Sequence, residues 1–279
     1  MIAAEGCDFI KQDKRKRVLK TMVAFCVWII VWFLLELLLP ESVAFAGPGD
    51  VAIRLFKDIL SKPFWIAIFT TYSGIVVGFV AAVIIGTILG YLAYYFEGVD
   101  TFVTPVMDFF RYIPMITFTV LAIVWGSQTL LTVEVSIFLA LPTVYRHTLL
   151  GLRHDSGYGL HSIWKHKISI FRKIDLIYRP ATMPEYMVGC HRALNMCCKS
   201  GILAQFLGHA KHSVGSSLST AMENLDVAGI FSWTIVIVIL SVLLERIVIH
   251  ILSLKIVNER EIDVEKIFEA LNEDEEVDL

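Results

Sequence analysis

Six long apolar stretches alternate with shorter polar ones along this chain, over 18–39, 65–96, 102–126, 129–150, 184–208 and 229–254. Each supplies the roughly 20 predominantly apolar residues that an α-helix needs to cross a bilayer. The pattern therefore predicts an all-α, polytopic membrane protein with six transmembrane helices. Between the fourth and fifth stretches runs a polar, basic segment, Arg153 to Pro184. Its apolar residues Leu160, Ile163, Trp164 and Ile168 recur at helical spacing, followed by Phe171, Ile174 and Ile177. That spacing predicts a short helix lying across one face of the protein and a second leading back to the membrane. A shorter amphipathic run, Val51 to Leu60, follows Gly47-Pro48-Gly49 in the loop after the first span.

Composition agrees. The 279 residues are 56% hydrophobic and only 18% charged, with a mean hydropathy of +0.68, which excludes a soluble domain. The charges also set a topology. Lys11, Lys14, Arg15, Lys16, Arg17 and Lys20 crowd the N-terminal tail, and seven Lys or Arg face two Asp between Arg146 and Met183. Basic loops stay in the cytoplasm, and six crossings place both of these segments and the C-terminus there together. The expected layout is a cytoplasmic tail over 1–17, a membrane domain over 18–254 with its cytoplasmic loop at about 151–183, and a cytoplasmic tail over 255–279. From Glu259 onward that last tail holds ten acids against Arg260 and Lys266, which reads as a solvated acidic segment. A basic start followed by an apolar core and Ala44-Phe45-Ala46 imitates a cleavable signal peptide, but the apolar run is long for that role and cleavage would invert the basic loop.

Enzyme chemistry finds little support in the residues. No G-x-x-x-x-G-K-[ST] phosphate loop occurs, so the chain is not expected to hydrolyse ATP. Catalytic and zinc constellations are missing too, and Cys7, Cys26, Cys190, Cys197 and Cys198 have no metal spacing. His147, His154, His161 and His166 recur at seven, seven and five; a ligand set is one reading, solvated histidines of a basic segment the other.

Within the spans, some residues are unlike lipid-facing ones. Gly74, Gly78, Ala82, Gly86 and Gly90 put a small residue at every fourth position, which lets a neighbouring backbone approach closely. Arg111 lies one turn from Asp108, so either an internal ion pair or a substrate contact would relieve its cost. Glu134 and Pro142 share a span, the acid near its end and the proline expected to kink it. Arg192, Asn195 and Lys199 fall on one face of the fifth span. Charges there call for a bundle interior or a wet path, for pairing, or for snorkelling to the interface. Arg111, Arg192, Asn195, Lys199 and Gln205 are the candidate pathway residues.

The landmarks together resemble the permease subunits of ABC importers, specifically the nitrate/taurine/sulfonate type. Pro180-Ala-Thr-Met-Pro184 followed by Gly189 and Ala193 matches the close of that family's cytoplasmic coupling loop. Thr70-Thr71, Gly74, Gly78-Phe79, Gly86 and Gly90 are similar to its second core helix, and Pro105, Arg111, Ile113-Pro114 and Trp125-Gly126 to the next. The likeness covers roughly 48–252. It implies the type I importer permease fold and a separate ATPase, which would use ATP and magnesium and receive the loop through His161, Ser162, Ile163, Trp164, Lys167, Ser169 and Pro180. His161, Ser162 and Ile163 stand where the family has E-A-A, and Lys167 where it has Gly. Gln205 stands where a Glu is common. It further implies a second permease subunit completing the pathway as a homodimer, an external solute-binding protein, a plasma (inner) membrane location and no cofactor on this chain. Lipid is the expected surround, and nothing in the charge pattern points to nucleic acid. A secondary transporter or channel working without an ATPase is the alternative, and it lacks the internal repeat such proteins often show.

Overall fold

A computed structural model describes residues 2–38, 45–128, 130–154 and 179–260, with side chains over 20–38, 45–128, 130–153 and 182–252. Among these the secondary structure is helical: α1 (Ile2–Leu38), α2 (Pro48–Ile59), α3 (Lys62–Tyr95), α4 (Glu97–Tyr112), α5 (Met115–Trp125), α6 (Leu131–His154), α7 (Arg179–Leu207), α8 (Val214–Glu223) and α9 (Val227–Arg260). Among the described residues, four segments are long and apolar enough to cross a membrane: Lys20–Leu38, Lys62–Tyr95, Leu131–Arg153 and Val227–Leu252. The protein is thus a multi-pass membrane protein, with four such helices or five if α4 and α5 count as one broken span.

The basic N-terminal segment continues into the first span as one helix, α1, from Ile2. One expectation changes in detail. The stretch 102–126 is not one helix: α4 and α5 meet at a bend of 102°. Pro114 causes it, since a proline ring disfavours helical geometry in the residue before it, and Ile113 accordingly has ψ 125°. At 1.5 Å per residue, the 11-residue α5 spans only about 16 Å of a hydrocarbon layer about 30 Å thick. The segment after α7 contains the short helix α8.

The chain folds as two compact units. The first, Met1–Lys62 with Thr220–Ile235, contains α2. Pro48 opens that helix in its first turn, where a missing N–H costs nothing. Val51 is buried. Arg54 pairs with Asp58 at 3.6 Å and with Asp226 at 3.1 Å, while Ile53, Phe56 and Leu60 stay exposed. Asp226 caps α9 by accepting from the Gly229 N–H at 2.8 Å.

The second unit, Pro63–Ser219 with Val236–Leu279, holds the main core, built on Ile75, Phe79, Ala82, Ala140, Val144, Tyr145, Ala193, Leu194, Cys197 and neighbours. The small-residue row of α3 seats a matching row of α6. A Cβ on Gly74 would meet Thr132, on Gly78 Ser136, on Gly86 Val144 and on Gly90 Thr148. The offset between partners stays constant at 58 positions, so α3 and α6 run parallel. A four-residue period exceeds 3.6, so their contact line must wind right-handed. Against the other side of α6 lies α7, antiparallel: Gly151 abuts Thr182, Gly189 abuts His147 and Gly201 abuts Thr132. Pro142 sits inside α6 without ending it.

Candidate translocation face and end cleft

The α7 helix divides sharply by environment. Cys190, Ala193, Leu194, Cys197, Ser200, Gly201 and Ala204 are buried. Val188, Arg192, Met196 and Lys199 are exposed, with Asn195 half-buried beside them. At 100° per residue these five lie within an arc of about 100°. A helix packed on one side thus presents a continuous face that none of the described residues of its unit covers, and two cations stand on it. Lys199 makes no ion pair among the described residues.

Arg192 is held from behind. Its Nη1 lies 3.4 Å from His147 Nε2, and His147 Nδ1 lies 2.7 Å from Glu185 Oε1. A guanidinium only donates, so His147 Nε2 is the acceptor and its Nδ1–H donates to Glu185. Gly189 makes the arrangement possible, since a Cβ there would sit 2.4 Å from His147 Cβ. The neighbouring His191 faces the other way, with Nε2 at 2.7 Å from Glu245 Oε1 on α9.

A second polar line straps α4 to α6. Arg153 donates to Asp100 at 2.6 Å, and Arg146 to Asp108 at 3.3 Å. Thr104 gives its proton to Asp100 at 2.7 Å, so Tyr145 must donate to Thr104 at 2.7 Å. Arg111 also reaches Asp108, at 3.5 Å, the partner its spacing suggests. It therefore belongs to an ion cluster rather than standing alone.

Gln205 is different again: 1% exposed, it is bonded on both sides. Thr71 donates to its Oε1 and its Nε2 donates to Thr132, both at 2.8 Å. It also borders a cleft of about 260 Å³ shared with Thr70, Gln128, Thr132 and Lys211. The cleft lies at the end of α6 opposite the basic loop.

No family model matches the chain. Curated proteins do. The formylaminopyrimidine transport permease ThiX of Halalkalibacterium halodurans is 19% identical over 229 residues, 81% of this chain and 90% of that one. The glycine betaine/carnitine transport permease GbuB of Listeria monocytogenes is 23% identical over 190 residues, 68% and 67% of the two chains. A probable ABC transporter permease of Brucella melitensis is 23% identical over 230 residues, 81% and 91%. The chain is an ABC-transporter permease subunit. It is a transport subunit rather than an enzyme. The relatives' names support that class and do not extend to the nitrate/taurine/sulfonate type.

Of the residues expected to form a coupling loop, His161, Ser162, Ile163, Trp164, Lys167 and Ser169 lie outside the described residues, and Pro180 falls in the first turn of α7. Sequence reasoning singled out Arg192, Lys199 and Gln205 but not the contact of His147 with Arg192 or those of Thr71 and Thr132 with Gln205. Thr132 carried a usable signal: it opens a row, Thr132, Ser136, Ala140, Val144, Thr148, as regular as the glycine row it meets. His147 carried none, because pairing across helices leaves no trace in local spacing.

Proposed function

We propose that this permease is the pathway-forming subunit of a binding-protein-dependent importer in the plasma membrane, working as a pair of copies with two ATPase subunits. The observation that carries the reading is the uncovered, cation-bearing face of α7, whose opposite side is locked into the unit's core. A second copy would enclose that face and turn it into a lined path. ATP and magnesium act in the ATPase, which engages the 151–183 loop; its closure switches the packed helices between inward- and outward-facing states. The solute is small and polar, as the named cargoes of two relatives are, and an external binding protein delivers it.

Two experiments test this. Cysteines at Ser162 and Lys167, with others along 158–170, should crosslink to the co-expressed ATPase; failure at every position removes the coupling assignment. In the second, uptake per assembled complex is measured for Lys199→Ala and Arg192→Ala. A loss of uptake at unchanged assembly supports the pathway face, and unchanged uptake in both variants sinks it.

A further inference from the structure

The cleft at the ends of α3, α6 and α7 has a fixed hydrogen-bond polarity that begins outside it. The Val214 backbone N–H can only donate, and it does so to Thr71 Oγ1 at 3.0 Å. Thr71 then spends its own proton on Gln205 Oε1 at 2.8 Å, which the Gly215 N–H also approaches at 3.5 Å. With its oxygen so placed, Gln205 must turn its amide nitrogen to Thr132, and it donates there at 2.8 Å. Thr132 has accepted, so its hydroxyl proton remains to be given, as does the second N–H of Gln205. Among the described residues neither proton has an acceptor. Thr132 is 7% and Gln205 1% exposed, so both donors are largely withdrawn from solvent and favour an acceptor.

Both donors' residues border the cleft, and Lys211, which makes no ion pair among the described residues, lines it with them. None of the lining residues is an Asp or Glu. Donors and a positive charge without an acceptor anion describe a receptor for oxygen lone pairs. We propose that this cleft is a binding subsite for a small solute bearing a carboxylate-like oxyanion, received by Thr132, Gln205 and Lys211. Its volume of about 260 Å³ falls below the roughly 300–1,000 Å³ of sites for drug-sized ligands, so it holds a small solute or one end of a larger one. The proposal deepens the importer reading and rests on it only for the consequence that the bound solute is cargo.

The test uses the full chain in its assembled transporter, with Val133→Cys as a reporter in the cleft, Cys26→Ser to remove the thiol exposed among the described residues, and Cys7→Ser to remove the thiol that lies outside the described side chains. The alkylation rate of Cys at 133 is followed with acetate as the probe and tetramethylammonium as the cation control, at matched ionic strength. Acetate should slow the reaction on the order of tenfold when present at ten times its dissociation constant, and the cation should not. Thr132→Val and Lys211→Gln should each weaken that protection, while Thr132→Ser, which keeps the donor, should restore it. Protection that is missing in the parent, equal with the cation, or unchanged in both Thr132→Val and Lys211→Gln overturns the site. Because the assay needs no ATP, protection without ATP-driven uptake leaves the site standing and sinks the importer reading; uptake without protection does the reverse.

Discussion

At the scale of single residues, what matters in this permease is how each buried or membrane-level charge finds a partner. Arg192 leans on a neutral His147 that Glu185 orients, so its charge is positioned rather than cancelled. His147→Leu should therefore impair uptake in a way that His147→Gln, which can still accept through its amide oxygen, partly rescues. The comparison is uptake per assembled complex, and equal loss in both variants would reduce His147 to a packing residue. Asp58 in α2 shows the opposite economy. Burial pushes its carboxyl above the ordinary value, with Arg54 opposing the rise, Asp226 adding to it and the Ser232 hydroxyl lowering it. A carboxyl whose folded pKa is raised binds its proton more tightly when folded. Its contribution is present below the unfolded value, near 4, and is lost as pH rises through the folded one. Asp58→Asn should thus raise the unfolding temperature at neutral pH, and the gain should vanish as pH falls below about 4. A gain that persists in acid would mean that desolvation is not the cause.

At the scale of elements, the parallel pair α3 and α6 is the rigid part, and its rigidity comes from missing side chains. A Cβ on Gly78 would come within 2.6 Å of Ser136 Cβ and 3.0 Å of the Val133 carbonyl. Backbone cannot yield as a side-chain tip can, so Gly78→Val should cost roughly 1–3 kcal/mol or more and reduce assembled protein. Gly98, in the first turn of α4, has open space around its Cβ position. Gly98→Ala should therefore be neutral or mildly stabilising, by up to about 1 kcal/mol. Thermal unfolding of the two variants side by side checks the pair, and equal loss in both would break the argument from close approach. The strap between α4 and α6 is weaker material. Its ion pairs are a quarter to a half exposed, so each contributes at most about 1 kcal/mol.

At the scale of the whole molecule, topology is the first prediction. Cysteines at Ser127 and Lys211 should react with an impermeant thiol reagent from outside the cell, and one at Lys14 only after permeabilisation; the reverse labelling would invert the positive-inside assignment. Much about this protein follows from sequence alone. Apolar length requires a multi-pass helical membrane protein, because a bilayer offers the backbone no other hydrogen-bond partners. The glycine row announces a close helix contact, and proline and glycine landmarks point to an importer permease. These signals survive in one dimension because each depends on spacing within a single helix. Tertiary structure decided the rest. It chose α6 as the partner of the glycine row, and separated Arg192 and Lys199, on an open face, from Gln205, held in a bonded node. Those outcomes depend on residues 45 to 134 positions apart in the chain, such as His147 with Arg192 and Thr71 with Gln205. Helical periodicity says which face a side chain occupies; only packing says what that face meets.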